Sequence, residues 1–376
     1  MTDISLYIHI PFCHRRCSYC SFTSFAGRTA QISEYFDAVA KEIRLASLPE
    51  RRVNTLYFGG GTPSLASSDI IRGLIEEIGQ RFQFTEGAEI TLEANPGSVL
   101  PAYLKSLRAA GVNRLSLGAQ SLDDSELRFL GRTHSNADTI QAIVSARAAG
   151  FDNISLDFIY GIPERRPDTW ELMLDGIAKL SVEHLSLYGL TLEDGTPLAA
   201  AVNRGEAAAP DPDASAAEYE EAVSILDRAG YRQYEISNWS LPGLASRHNL
   251  VYWQRGEYLG LGAAAHSYIE NRRFSNTADL DDYIGALVCG RIPRLAEEII
   301  DPETALAEAV ILGLRLNRGV SADDISQWFS IDLFSRFAAE IKELAGLGLL
   351  DPSDGIIRLT NRGRLLGNEV FLRFLP

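Results

Sequence analysis

Six β-type runs, each closed by Gly, Pro, Asn or Ser and each followed by a helical pattern, constrain the fold of this 376-residue chain most. They are SLYIHIPF, NTLYFGGGTP, EITLEANPG, RLSLGAQS, NISLDFIYGIP and HLSLYGLTLEDGTP. Between them, stretches such as ISEYFDAVAKEIRLA and SSDIIRGLIEEIGQRF place apolar residues at helical spacing. Strands alternating with helices call for parallel pairing, because a crossover helix returns the chain to the same end of the sheet. Six units fall short of the eight that close a full barrel. The expected α/β core is therefore an open, partial (β/α)6 barrel over residues 1–230, with a doubly wound sheet as the alternative. In either architecture the polar and Gly-rich residues after each strand converge at the carboxyl ends, where such folds build sites.

The rest of the chain reads differently. Residues 231–300, including YEISNWSLPGLASRHNLVYWQRGEYLGLGAAAHS, form an aromatic segment without regular periodicity. Residues 301–376 read as three helices, then a strand, a turn and a last helix, the order of a small winged-helix-like α+β domain. That order suggests DNA binding, but the segment holds eight Arg or Lys against eleven Asp or Glu, a net of −3. A surface for phosphates would be basic, so packing or partner docking is expected there. The whole chain, at −15, points away from a nucleic-acid role.

With 46% hydrophobic residues the chain can bury a sizeable core. No run approaches the roughly 18 apolar residues needed to cross a bilayer. The start, MTDISLYIHIPF, lacks the basic region and apolar core of an export signal. A cytoplasmic location is expected; no amphipathic basic helix announces peripheral membrane contact, which stays open.

Three of the four cysteines, Cys13, Cys17 and Cys20, sit in one short loop after the first strand, and Cys289 is remote. Clustered thiols in a long cytosolic chain are usually metal-binding or catalytic rather than disulfides. Three arrangements compete: free structural thiols, a Cys₃His zinc site completed by His9 or His14, and an iron–sulfur cluster with one iron left open for a ligand.

The spacing Cys13-x₃-Cys17-x₂-Cys20, with Tyr19 before the last cysteine, resembles the radical S-adenosylmethionine (SAM) superfamily. YIHIPFC, YFGGGTPS, LEANPG, GAQS, LGRTHS, LDFIYGIP and LYGLTLEDGTP together resemble the oxygen-independent coproporphyrinogen III oxidases and the related HemW-type haem chaperones. The resemblance implies a [4Fe–4S] cluster on the three cysteines, its fourth iron held by SAM. It also implies SAM contacts from Gly60, Gly61 and Thr62 in GGGTP, from Glu93, Gln120, Arg132 and Asp157, and from Tyr7, Tyr19 and Thr191. Carboxylates and an amide suit ribose hydroxyls and an ammonium, and Arg suits a carboxylate. Gly189 stands where related sequences often have glutamine, which implies a slightly different loop contact.

Two departures set this chain apart from the oxidases it resembles. Phe22 occupies the position of their extra cysteine, and only twelve residues precede the first cysteine. RHNLVYW, residues 247–253, instead resembles the haem motif of the HemW branch. It implies His248 as ligand to haem iron, Tyr252 and Trp253 stacked on the macrocycle and Arg247 on a propionate. The function implied is a haem chaperone delivering haem to an acceptor haemoprotein, with an electron donor such as flavodoxin or ferredoxin if SAM is cleaved. The alternatives are coproporphyrinogen III oxidase and another tetrapyrrole-directed radical SAM enzyme.

Overall fold

The computed structural model describes residues 2–166, 168–295 and 297–376. The six expected runs form strands β1 (Thr2–Ile10), β2 (Arg51–Gly60), β3 (Gln83–Ala94), β4 (Arg114–Gln120), β5 (Ile154–Tyr160) and β6 (His184–Gly189). They pair in parallel in that order. Helices Ile32–Leu45, Ser68–Arg81, Pro101–Ala109, Asn136–Ala148, Thr169–Lys179 and Pro212–Arg228 cover the outside. None of the described helices is long and apolar enough to cross a membrane.

Side chains alternate across a strand, and here the alternation separates two chemistries. Leu56 and Phe58 on β2, Leu115 and Leu117 on β4, Leu156 and Phe158 on β5, and Leu185 and Leu187 on β6 join one apolar core. The other face of the same strands carries Tyr57, Ser116, Asp157 and Ser186, which line a cavity. The outward set drives burial of the helices; the inward set is too polar to fill the barrel as a dry core.

The segment expected to be irregular is ordered. It supplies β7 (Arg232–Glu235), β8 (Asn238–Ser240), β9 (Tyr258–Leu261), β10 (His266–Ile269), β11 (Arg272–Ser275) and β12 (Glu298–Ile299). These extend the sheet on both sides, giving the order β12-β11-β10-β9-β1-β2-β3-β4-β5-β6-β8-β7. β9 is a seventh parallel strand, paired with β1. Strands of two to four residues are too short to show a period-two pattern. Glycine hides β9 further: a Cβ on Gly260 would lie 2.1 Å from the His266 carbonyl oxygen.

Within this segment the short helix Arg247–Trp253 forms a plug against the amino-terminal half of the barrel strands. The Glu89 carboxylate on β3 accepts from the backbone N–H groups of Arg247 (3.2 Å) and His248 (3.0 Å). Ser246 caps the same turn by accepting from Asn249 N–H at 3.3 Å.

The C-terminal part has its own core, with Val310, Ile325, Ile341, Leu344, Ile357 and Phe374. Its strands β13 (Val320–Ser321), β14 (Leu350–Asp351) and β15 (Ile356–Leu359) form an antiparallel sheet in the order β13-β15-β14. With helices Pro302–Arg315, Ala322–Phe329 and Ala338–Gly346, these strands make a small α+β unit. It meets the plug helix where the Arg315 guanidinium lies 4.2 Å from the Trp253 ring centre.

Glu89→Ala strips the acceptor from two helix-terminal N–H groups, that of His248 buried. It is expected to lower stability by about 2 kcal/mol in urea denaturation; an unchanged midpoint would mean that the plug does not depend on this cap.

Candidate functional site

The mouth of the barrel is built around the cysteine loop. Cys13 follows β1 in a two-residue ladder, Phe12–Cys13 against Phe25–Ala26. The Gly-rich turn after β2 runs alongside: Gly61 N–H donates to Ile10 O and Thr62 N–H to Phe12 O, both at 2.8 Å. There is no room for a side chain at this contact. A Cβ on Gly61 would stand 2.7 Å from Phe12 O and 3.0 Å from Cys13 Sγ. Gly60 has φ +119°, and a Cβ there would strike the His9 ring at 2.7 Å. Glycine is required here for both close approach and backbone angle.

The far side of the loop is tethered as well. Ser18 N–H donates to Leu130 O at 3.2 Å, and Leu198 N–H to Ser18 O at 2.8 Å. Arg132 reaches Cys17 Sγ at 3.5 Å, donates to Gly118 O at 2.8 Å and bonds Asn95 Oδ1. Thr62 Oγ1 lies 3.5 Å from Cys13 Sγ. A guanidinium and a hydroxyl donating to sulfur suit thiolates. Burial pushes the Cys20 thiol up, so a metal must displace its proton.

Neither histidine completes a zinc site. Both His9 ring nitrogens are engaged, Nδ1 with Tyr7 OH (3.0 Å) and Nε2 with Thr23 O (2.9 Å), and His14 is exposed. Among the described residues no three His, Cys, Asp or Glu side chains gather to hold a single ion. Three thiols spread around a loop suit a cubane, which offers each thiolate a separate iron.

Beneath the loop lies a cavity of about 540 Å³. Cys13, Cys17 and Cys20 line it, together with Tyr7, Tyr19, Gly60, Gly61, Thr62, Glu93, Gln120, Arg132, Asp157 and Thr191. Every residue expected to touch SAM is thus at one chamber. Glu93 accepts from Tyr57 OH at 2.7 Å and from Gly60 N–H at 3.2 Å. Burial, with the nearby Asp157 charge adding, still pushes its carboxyl up to about 7. Asp157, which accepts from Ser116 Oγ at 3.2 Å, is also raised by burial. Gln120 ends β4 at φ +66°, a left-handed conformation that non-glycine residues seldom adopt. Thr191 sits exposed at the rim and donates to Gly189 O at 3.3 Å. This chamber, with thiols and a guanidinium at its mouth and carboxylates below them, fits a cluster and an amino-acid-bearing nucleotide.

Of the four residues expected to hold haem, His248 and Tyr252 line the chamber, whereas Arg247 and Trp253 are engaged outside it. His248 is 1% exposed, with Nδ1 bonded to Thr55 Oγ1 (2.7 Å) and Nε2 to Tyr252 OH (2.9 Å). Its ring stacks on Tyr57 at 4.8 Å, and burial pulls its pKa down to about 3. Both ring nitrogens are thus hydrogen-bonded, and ligation of iron through Nε2 would first have to break the bond to Tyr252. Tyr252 lines the cavity. Arg247 points away, donating to Gly87 O (2.6 Å) and Asn54 O (3.3 Å), and Trp253 packs under Arg315. In this conformation the motif builds the cavity floor.

Sequence reasoning missed Tyr57, Asn95, Arg114 and Ser116, all of which line the chamber. For two of them a signal was present: Arg114, Ser116 and Gly118 share a strand face with Gln120 by the period of two.

Residues 7–177 match the radical SAM superfamily and residues 300–366 the HemN C-terminal domain. The chain is 35% identical over 374 residues to the heme chaperone HemW of Bacillus subtilis (strain 168), covering 99% of each. It is 37% identical over 376 residues to the heme chaperone HemW of Mycobacterium tuberculosis (strain ATCC 25618 / H37Rv), covering 97% of this chain and 93% of that one. It is 36% identical over 397 residues to the mitochondrial radical S-adenosyl methionine domain-containing protein 1 of Mus musculus (100% and 88%). Among solved structures, coproporphyrinogen III oxidase (HemN) from Escherichia coli, a radical SAM enzyme, superposes with a TM-score of 0.85 at 27% identity. That match covers 99% of this chain and 90% of HemN.

The pKa of Glu93 sets a pH dependence. The folded carboxyl keeps its proton to about pH 7, whereas an unfolded glutamate loses it near 4.5. Between those values the unfolded chain binds fewer protons, so stability falls as pH rises and stays reduced above pH 7. Glu93→Gln escapes this penalty. In cofactor-free protein its stability relative to wild type is expected to grow by roughly 2 kcal/mol from pH 5 to pH 8. Equal differences at both pH values in urea melts would contradict it.

Proposed function

Because the chain belongs to the HemW family within the radical SAM superfamily, we propose that it is a cytoplasmic haem carrier that hands haem to an acceptor haemoprotein. Cys13, Cys17 and Cys20 hold a [4Fe–4S] cluster, and Gly60, Gly61, Thr62, Glu93, Gln120, Arg132 and Asp157 hold SAM, with Tyr7, Tyr19 and Thr191 at the edges. The observation that carries this reading is a three-thiol loop over a polar chamber, in a chain matched to haem chaperones over nearly its whole length. A reduced cluster of this kind supplies an electron that cleaves the sulfonium C–S bond of SAM; a flavodoxin or ferredoxin is the class of donor.

The residues of this chain bind and orient. Arg132 braces Cys17 and ties it to β4 through Gly118 O. The Gly60–Thr62 turn fixes Cys13. Glu93 and Asp157 present hydrogen-bond acceptors below the mouth. Phe22, standing where the oxidases carry a further cysteine, is 67% exposed beside the loop, and favours a carrier over an oxidase. No axial role is given to His248, whose nitrogens are both taken.

After anaerobic reconstitution, wild type is expected to hold one cubane's iron and sulfide per chain, and Cys17→Ser to lose it. Added haemin should give a stable Soret band, while coproporphyrinogen III with SAM and reductant should give no protoporphyrinogen. Stoichiometric zinc in oxygen-free preparations, or turnover to protoporphyrinogen, would overturn this reading. His248→Phe, which keeps the ring stacked on Tyr57, is expected to bind haem as wild type does. Loss of the Soret band in a folded His248→Phe protein would restore His248 as the ligand.

A further inference from the structure

Among the described residues, one buried cation in the chamber has no ion-pair partner. Arg114, the deepest inward residue of β4, is 2% exposed. Its Nε is buried without a hydrogen-bond acceptor, and among the described residues no carboxylate lies within ion-pair distance of its guanidinium. Other buried arginines are treated differently. Arg165 pairs with Glu126 at 2.6 Å and Glu218 at 2.7 Å, and Arg51 with Glu257 at 2.5 Å. A guanidinium is a permanent cation, and one buried unpaired is costly. Yet Arg114 lines the cavity, so its open face is turned to whatever occupies that space.

The surroundings narrow the ligand. Glu93 and Asp157 are near enough to feel the Arg114 charge, but their close contacts are to Tyr57, Gly60 and Ser116. They would repel a doubly charged phosphate more than a singly charged carboxylate. The planar fork of a guanidinium matches a carboxylate with two parallel bonds. Flat rings stand beside it: Tyr7 and Tyr57 stack at 6.1 Å, and Tyr57 and His248 at 4.8 Å. The rim adds Phe22 and Tyr188, 67% and 46% exposed.

We propose that Arg114 is the floor anchor of the chamber and takes the carboxylate arm of a flat ligand that enters edge-on past Tyr188 and Phe22. That the ligand is haem and the arm a propionate rests on the carrier reading; the anchor itself does not.

Two arms of one experiment separate these statements, using the full chain, anaerobically reconstituted and loaded with SAM. In the first, haemin and its dimethyl ester, which lacks free carboxylates, are titrated by Soret absorbance. Wild type should prefer haemin by at least about tenfold, Arg114→Met should bind both at the ester's affinity, and Arg114→Lys should keep part of the preference. In the second, thermal midpoints are followed as sodium propionate replaces sodium chloride at constant ionic strength. Wild type should be protected by propionate and Arg114→Met should not, while without propionate the variant should melt no lower than wild type. Propionate protection without haem binding would remove the carrier reading and leave the anchor standing. Equal binding of haemin and ester by wild type, a preference retained by Arg114→Met, absence of propionate protection, or a variant that melts well below wild type would overturn the anchor.

Discussion

Two backbone hydrogen bonds hold the site together: Gly61 N–H to Ile10 O and Thr62 N–H to Phe12 O. They dock the turn after β2 onto the segment that carries Cys13, so that thiol and Gly-rich turn become one rigid unit. Backbone contact this close is possible only because Gly60 and Gly61 lack side chains. A side chain at Gly61 would displace the Cys13 sulfur itself. The position of the first thiolate is therefore set by main-chain geometry, while Cys17 is set by a longer-range tie, Arg132 bridging from the loop after helix Asp124–Phe129 to Gly118 O on β4. One sulfur is fixed by a turn and another by a guanidinium, and both anchors lie outside the cysteine loop itself.

Below that loop the barrel does something unusual for a hydrophobic fold. Its outer face is aliphatic and its inner face is Tyr, Ser, Asp, Glu and Arg. Such residues cannot pack dry without cost. Some satisfy one another, as Tyr57 does Glu93 and Ser116 does Asp157. Arg114 does not share in this, as its buried Nε without an acceptor records. Charge is also layered: Arg132 braces the thiols above, the carboxylates lie between, and Arg114 waits at the floor. A chamber arranged this way is polarised along its depth, and a ligand with distinct ends has one favourable orientation in it.

Much of this was legible from the sequence. Six strand-helix units gave the parallel sheet because each strand is long enough to show its pattern and is closed by a turn residue. The Cys13, Cys17 and Cys20 loop and the glycines of GGGTP were visible because chemistry and conformation restrict those positions to few residue types. What stayed hidden was short or inward-facing. The strands between residues 231 and 300 run two to four residues, below the length at which alternation can be read. Arg114 looked like an ordinary charge at the start of a strand, and only its shared face with Gln120, two by two along β4, hinted that it faces the cavity.

RHNLVYW was visible as a motif, and in the fold its residues also take structural roles. His248 and Tyr252 close a hydrogen-bonded chain from Thr55, Arg247 clamps the β2 and β3 backbone, and Trp253 receives Arg315 from the C-terminal part. The Arg315 side chain that covers Trp253 also lies 3.6 Å from the fully buried Glu235 at the end of β7. The plug helix is thus floor to the chamber on one side and seat for the C-terminal part on the other. A ligand that pressed on His248 or Tyr252 would load the same seven-residue element that carries this contact, which gives the small C-terminal part a mechanical connection to the cavity without any residue inside it.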